Sequence, residues 1–108
     1  MVAVQEVSEV KELARIFKAL SVETRLRILK AIEECQSESC ASQDLCVNAI
    51  ADKVGISQSA VSQHLTVLKN AGLVIDERKG YYIHYSINKG RFGEFKRMVE
   101  DKLGTDFI

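Results

Sequence analysis

A chain of 108 residues with 15 Lys and Arg against 15 Asp and Glu carries no net formal charge. Its 46% hydrophobic content is enough for a packed core and excludes a disordered chain. The sequence has no signal peptide and no apolar run near the roughly 18 residues of a membrane-spanning helix, so we expect one cytoplasmic domain over 1–108 and no membrane partner. A domain this small gains from dimerisation, which buries more apolar surface.

Val10, Leu13, Ala14, Phe17 and Leu20 recur at spacings of three and four and predict a first helix near 6–20. Ser21 is the expected cap of a second helix near 22–34, with Leu26, Leu29 and Ile32 available to the core. A polar connection runs from Cys35 to Cys46. Residues 49–72 then read as two helices joined by a tight turn. Ile50 and Val54 share a face of the first, Gly55 permits the helix-ending conformation, and Ile56 can fill the corner. Ser57 is a good N-cap for the next helix, whose Val61, Leu65 and Leu68 face inward.

The outward face of that helix's first turns is Gln58, Ser59, Ser62 and Gln63. A solvated face usually carries Lys and Glu. Compact uncharged donors and acceptors near a helix N-terminus suit a DNA major groove instead. A plain polar surface helix is the competing reading. Gly72 is the expected end of the helix. Residues 73–76 and 81–87 are β-type runs, and the second alternates, with Tyr81, Ile83, Tyr85 and Ile87 on one side and Tyr82, His84 and Ser86 on the other. Glu77, Arg78, Lys79 and Gly80 form the expected turn, giving a hairpin whose basic tip, Arg78 and Lys79, can meet phosphates. Phe92, Phe95, Met98 or Val99, and Leu103 predict a final amphipathic helix. The expected fold is mainly α with a small β-hairpin, a winged helix-turn-helix in the order α-α-α-α-β-β-α, with the helix-turn-helix at about 47–71 and the wing at about 73–87.

Charge is segregated along the chain. Residues 53–97 hold eight cations against three carboxylates, a net +5, whereas 31–52 hold five carboxylates and no cation. The basic half contains the expected DNA face.

All three cysteines, Cys35, Cys40 and Cys46, fall within the connection before the helix-turn-helix. In a reducing compartment a structural disulfide is not expected. Three thiolates on one loop can converge on As(III), Sb(III), Cd(II), Pb(II) or Zn(II). The same thiols could instead form a sensing disulfide or polysulfide link, or be incidental. His64, beside core Leu65, and His84, in the wing, lack a Cys, Asp or Glu at metal-ligand spacing along the chain. The three wing tyrosines, Tyr81, Tyr82 and Tyr85, suit stacking on nucleic acid and strand packing equally.

Residues 17–29 (Phe17-Lys18-Ala19-Leu20-Ser21-Val22-Glu23-Thr24-Arg25-Leu26-Arg27-Ile28-Leu29), the run Ile56 to Leu65, the run Leu68 to Val74 and the wing Arg78 to Ile87 together resemble the ArsR/SmtB family of repressors, over roughly residues 10–103. The resemblance implies a homodimeric winged-helix repressor whose affinity for a double-stranded DNA operator falls when an inducer binds. It also implies a dimer interface built from the first and last helices, near 6–20 and 90–103. The segment Asp44-Leu45-Cys46-Val47-Asn48 matches the place where many arsenic- and cadmium-sensing members carry Cys-x-Cys. Asn48 occupies the second cysteine position, so Cys40 or Cys35 would have to supply the missing thiolates. The family's other site, His and carboxylates on the last helix, is not expected, because residues 91–103 contain no His.

Three functional readings follow. The first is a DNA-binding repressor released by an inducer held at Cys35, Cys40 and Cys46. The second is a winged-helix module without effector. The third, an enzyme, finds no support: no Cys-x-x-Cys, phosphate-cradling loop or paired acid and base is visible.

Overall fold

The computed structural model describes the backbone of residues 4–37 and 45–104 and the side chains of 8–35 and 46–104. The elements run α1 (Val4–Leu20), α2 (Glu23–Ser37), β1 (Leu45–Cys46), α3 (Val47–Val54), α4 (Gln58–Asn70), β2 (Val74–Lys79), β3 (Tyr82–Ile87) and α5 (Lys89–Leu103). This is the expected order with one addition, β1. It pairs antiparallel with β3, and the sheet order is β1-β3-β2. A two-residue strand has no alternation to betray it in a sequence.

One apolar cluster holds the helices together. Ile16, Ile28, Ile32, Ile50, Val61, Leu65, Leu68 and Leu73 are its fully buried centre. On α1 the buried residues are Leu13, Ile16 and Ala19, so the expected stripe is rotated: Val10 and Ala14 face outward. On α2 Ile28, Leu29 and Ile32 are buried, whereas Leu26, expected in the core, is 50% exposed. Ser21 does not cap α2. Its hydroxyl donates to the Lys18 carbonyl at the end of α1 (2.8 Å). On α5 both Met98 and Val99 are buried, and Phe95 meets Phe17 edge to face at 5.2 Å, joining α5 to α1.

Polar contacts tie the same helices together. Asn88 caps α5, accepting from the Arg91 amide (3.1 Å), and its Nδ2 donates to the Gly72 carbonyl just past α4 (2.9 Å). Arg91 donates to the Ala71 carbonyl (3.1 Å), to Glu12 of α1 and to Glu94 (3.3 Å). The Arg91 hydrogen bond, with the nearby charges of Arg91 and Arg15, holds the Glu12 carboxyl below its ordinary value of 4.5 against the opposing effect of burial. A carboxyl depressed in the folded state stabilises the fold above its unfolded pKa and loses that contribution as pH falls through the folded value. Urea denaturation should therefore show stability falling below about pH 4.5, and Glu12→Gln should flatten that fall. Superimposable pH profiles would remove Glu12 from the account.

Candidate nucleic-acid interface

The geometry begins at the turn between α3 and α4. Gly55 has φ of +80°, a left-handed conformation that costs glycine little, and its amide donates to the Ala51 carbonyl (2.8 Å). Ile56 is partly buried against the core and fixes the angle between the two helices. Ser57 then caps α4 as its sequence position predicts: its Oγ accepts from the Ala60 amide at 3.1 Å. Val61, Leu65 and Leu68 are buried beneath α4. That anchoring leaves Gln58, Ser59, Ser62 and Gln63 exposed together on the outer face, near the helix N-terminus. α4 closes with the Gly72 amide donating to the Lys69 carbonyl (2.9 Å) and the Leu73 amide to the Leu68 carbonyl (3.0 Å), a Schellman pattern.

The wing lies beside one edge of this face. Its register pairs Val74 with Ile87 and Lys79 with Tyr82, so the turn is only Gly80 and Tyr81. Arg78 and Lys79 are therefore the exposed end of β2 and not the turn itself. Glycine at the first of two turn residues, here with φ of +64°, is the pattern of a II′ hairpin, whose twist matches its strands. The expected apolar row of β3 holds only near the body. Tyr85 and Ile87 pack on the core, Ile83 is 42% exposed, and Tyr81 sits in the turn at 96% exposure. Among the described residues the distal wing stands clear of the core, which leaves its apolar residues exposed. Lys69 of α4 bridges to Asp76 of β2 at 2.8 Å and fixes the root of the wing to the helix. That hydrogen bond raises the Lys69 pKa and lowers that of Asp76.

On the other edge of α4, Arg25 of α2 donates through Nε to His64 Nδ1 (3.3 Å) and through Nη1 to the Lys18 and Ala19 carbonyls (3.3 Å each). His64 is thus a half-buried strut that holds α4 to α2. Nothing in the local sequence signals this contact, because the partners lie 39 residues apart.

The cysteines separate. Cys35 lies on α2, which runs past the expected end, and is 1% exposed in the core. It is not on an exposed loop. Cys46 ends β1, occupies the N-cap position of α3 without a side-chain cap bond, and is half-exposed. Cys40 lies outside the described residues. The extra strand also changes the reading of His84: across the sheet it stands opposite Cys46 on one side and Glu77 on the other. Directly opposed residues of antiparallel strands share a face. Even so, among the described residues no three His, Cys, Asp or Glu side chains are arranged to hold a metal ion. Nor is any described helix long and apolar enough to cross a membrane.

Comparison with known proteins agrees with this geometry. The sequence model for "Bacterial regulatory protein, arsR family" matches residues 23–76. The HTH-type transcriptional regulator YbzH of Bacillus subtilis is 34% identical over 95 residues, covering 82% of this chain and 95% of that one. The transcriptional repressor SdpR of the same organism is 37% identical, over 68% of this chain and 72% of its own. The arsenical resistance operon repressor of Escherichia coli is 32% identical, over 68% of this chain and 57% of its own. Among solved structures, the homodimeric winged helix-turn-helix DNA-binding domain of a possible ArsR-family regulator from Mycobacterium bovis superimposes with a TM-score of 0.69 at 25% identity, covering 100% of this chain and 93% of that one. By sequence and by fold, the chain belongs to the ArsR family of winged helix-turn-helix transcriptional regulators, which are not enzymes.

Proposed function

We propose that the protein is a homodimeric transcriptional repressor that reads an operator with α4, contacts the DNA backbone with its wing, and leaves DNA when a thiophilic inducer binds at Cys46. The observation that carries this reading is the exposed, uncharged face of Gln58, Ser59, Ser62 and Gln63 at the start of α4, on a helix that Lys69 and Asp76 tie to a wing with a basic, exposed end. The name of SdpR supports repression, and the homodimeric relative supports pairing of two copies. Val10 of α1 and Leu103 of α5, 52% and 46% exposed, are apolar surface for that pairing.

For the inducer, a half-exposed thiol at the start of α3 is well placed to move the reading head. Cys40 is the candidate second thiolate. Cys35 joins only if the end of α2 opens. As(III), Cd(II), Pb(II) and Zn(II) all accept thiolate donors, and the likeness to an arsenical resistance repressor favours the first. A disulfide or polysulfide link between Cys40 and Cys46, formed when an external polysulfide oxidises the two thiols and is itself reduced, is the alternative chemistry for the same thiols. β1 also couples the site to the wing, since Cys46 and His84 are ladder neighbours. Release requires the inducer to prefer the conformation that binds DNA poorly.

Two experiments test the reading. Replacing Arg78 and Lys79 with alanine should weaken binding to all DNA sequences and flatten the salt slope by roughly one to two units. An unchanged slope would keep the wing away from DNA. Operator affinity should also fall about 5–150-fold with As(III) or another soft ion or a polysulfide, and Cys46→Ser and Cys40→Ser should abolish the response. A parent indifferent to all of them would make the cysteines bystanders.

A further inference from the structure

A pocket of about 220 Å³ lies at the junction of α1, α2 and α4, lined by Arg15, Lys18, Ala19, Arg25, Val67, Asn70 and Ala71. Three of these residues are cationic and none is acidic. Arg15 is partly satisfied, donating to Glu12 (3.1 Å) and to the Asn70 carbonyl (2.7 Å). Arg25 spends Nε and Nη1 on His64 and the end of α1. Among the described residues, its Nη2 and the Lys18 ammonium have no hydrogen-bond partner. Gathering like charges in one pocket is unfavourable unless an anion shares it.

The position relative to α4 identifies that anion. The exposed ribbon of α4 has two edges. Ser62 and Lys69, seven apart and so on one stripe, border the wing, and Lys69 is bonded to Asp76. Gln63 and Asn70, also seven apart, mark the opposite stripe, and Asn70 lines the basic pocket. A helix in a major groove, about 12 Å wide, lies between two phosphate walls. The wing can reach only one of them.

Resting on the reading of α4 as the DNA-reading helix, we propose that Lys18 and Arg25, with Arg15, form a second phosphate site that grips the DNA backbone on the groove wall opposite the wing. No base is read there. The site sets the depth and tilt of α4 and is indifferent to sequence.

Lys18→Gln is the test variant, because the Lys18 side chain is exposed and makes no described contact that the fold needs. Its operator affinity and its affinity for scrambled DNA should both fall several-fold, and the slope of log affinity against log salt should shrink by about 0.9. Between 50 and 200 mM salt that change alters the affinity ratio roughly 3.5-fold. Lys11→Gln, an exposed α1 lysine outside the pocket, should leave the slope as it is. The proposal fails if Lys18→Gln keeps the parent slope or if Lys11→Gln changes it equally. It also fails if inorganic phosphate binds the pocket at millimolar concentration, at constant ionic strength, without competing with the operator, which would assign the pocket to a free anion. The outcome is separable from the reading beneath it: Gln63→Ala weakening only the operator leaves α4 as the reading helix whatever Lys18 does.

Discussion

Operator affinity should fall by roughly 1–3 kcal/mol, about five- to 150-fold, when either Gln58 or Gln63 is replaced with alanine, while affinity for random DNA should stay near the parent value. The cause is geometric. Both amides lie on the exposed face of a helix whose opposite face is locked by Val61, Leu65 and Leu68. The Ser57 cap and Gly55 corner hold the helix N-terminus outward, so neither side chain is needed by the fold. An amide can bond a base edge through a donor and an acceptor together, which a phosphate contact does not require. Competition binding with operator and scrambled duplexes gives the ratio directly. Equal losses on both would show that the glutamines contact backbone and that sequence is read elsewhere.

Arg91→Ala should lower the unfolding free energy by about 2–4 kcal/mol, the largest stability effect we expect from a charged residue here. The Arg91 side chain is only 18% exposed and reaches three elements: the Ala71 carbonyl after α4, Glu12 on α1 and Glu94 on its own helix. Truncation leaves the carbonyl of buried Ala71 short of a donor and Glu12 with Arg15 alone, and a buried group left unpaired pays its desolvation cost. Arg91→Lys should recover only part of the loss, because one ammonium cannot replace a planar fork facing several acceptors. Urea denaturation at pH 7 measures the change. A loss below about 0.5 kcal/mol, the scale of an ordinary surface substitution, would mean that the three contacts are redundant.

The helix-turn-helix was legible because its signals are local. Gly55, Ser57, the Val61–Leu65–Leu68 spacing and Gly72 each act within a few residues, and each does in the fold what its type and position suggest. The wing was half legible. Alternation predicts a strand and which residues share a side but not how far it stands from the body, so of the row Tyr81, Ile83, Tyr85 and Ile87 the first two are exposed. The Arg78–Lys79 pair was placed in the turn, whereas register assigns it to the end of β2. Ser21 failed as a cap because α2 begins at Glu23, which puts Val22 and not Ser21 at the cap position; the Ser21 hydroxyl donates to the Lys18 carbonyl instead.

What the sequence hid depends on distance along the chain. Arg25 with His64, and Arg91 with Glu12 and Ala71, join residues 20 to 79 positions apart. Clustering of Cys35 and Cys46 in sequence suggested proximity on one loop. A helix that runs on to Ser37 instead carries Cys35 into the core, while β1 holds Cys46 beside His84 at the surface.

Selection of binding sites from a pool of random duplex DNA by the intact protein tests the central claim most directly. A dimer that presents two copies of α4 should enrich an inverted repeat, its half-site centres separated by about one helical turn, 10–10.5 bp, or a whole number of turns. Gln58→Ala and Gln63→Ala should relax the consensus at particular positions of each half-site. A pool that emerges with no consensus, bound only through salt-sensitive contacts, would contradict sequence reading by α4.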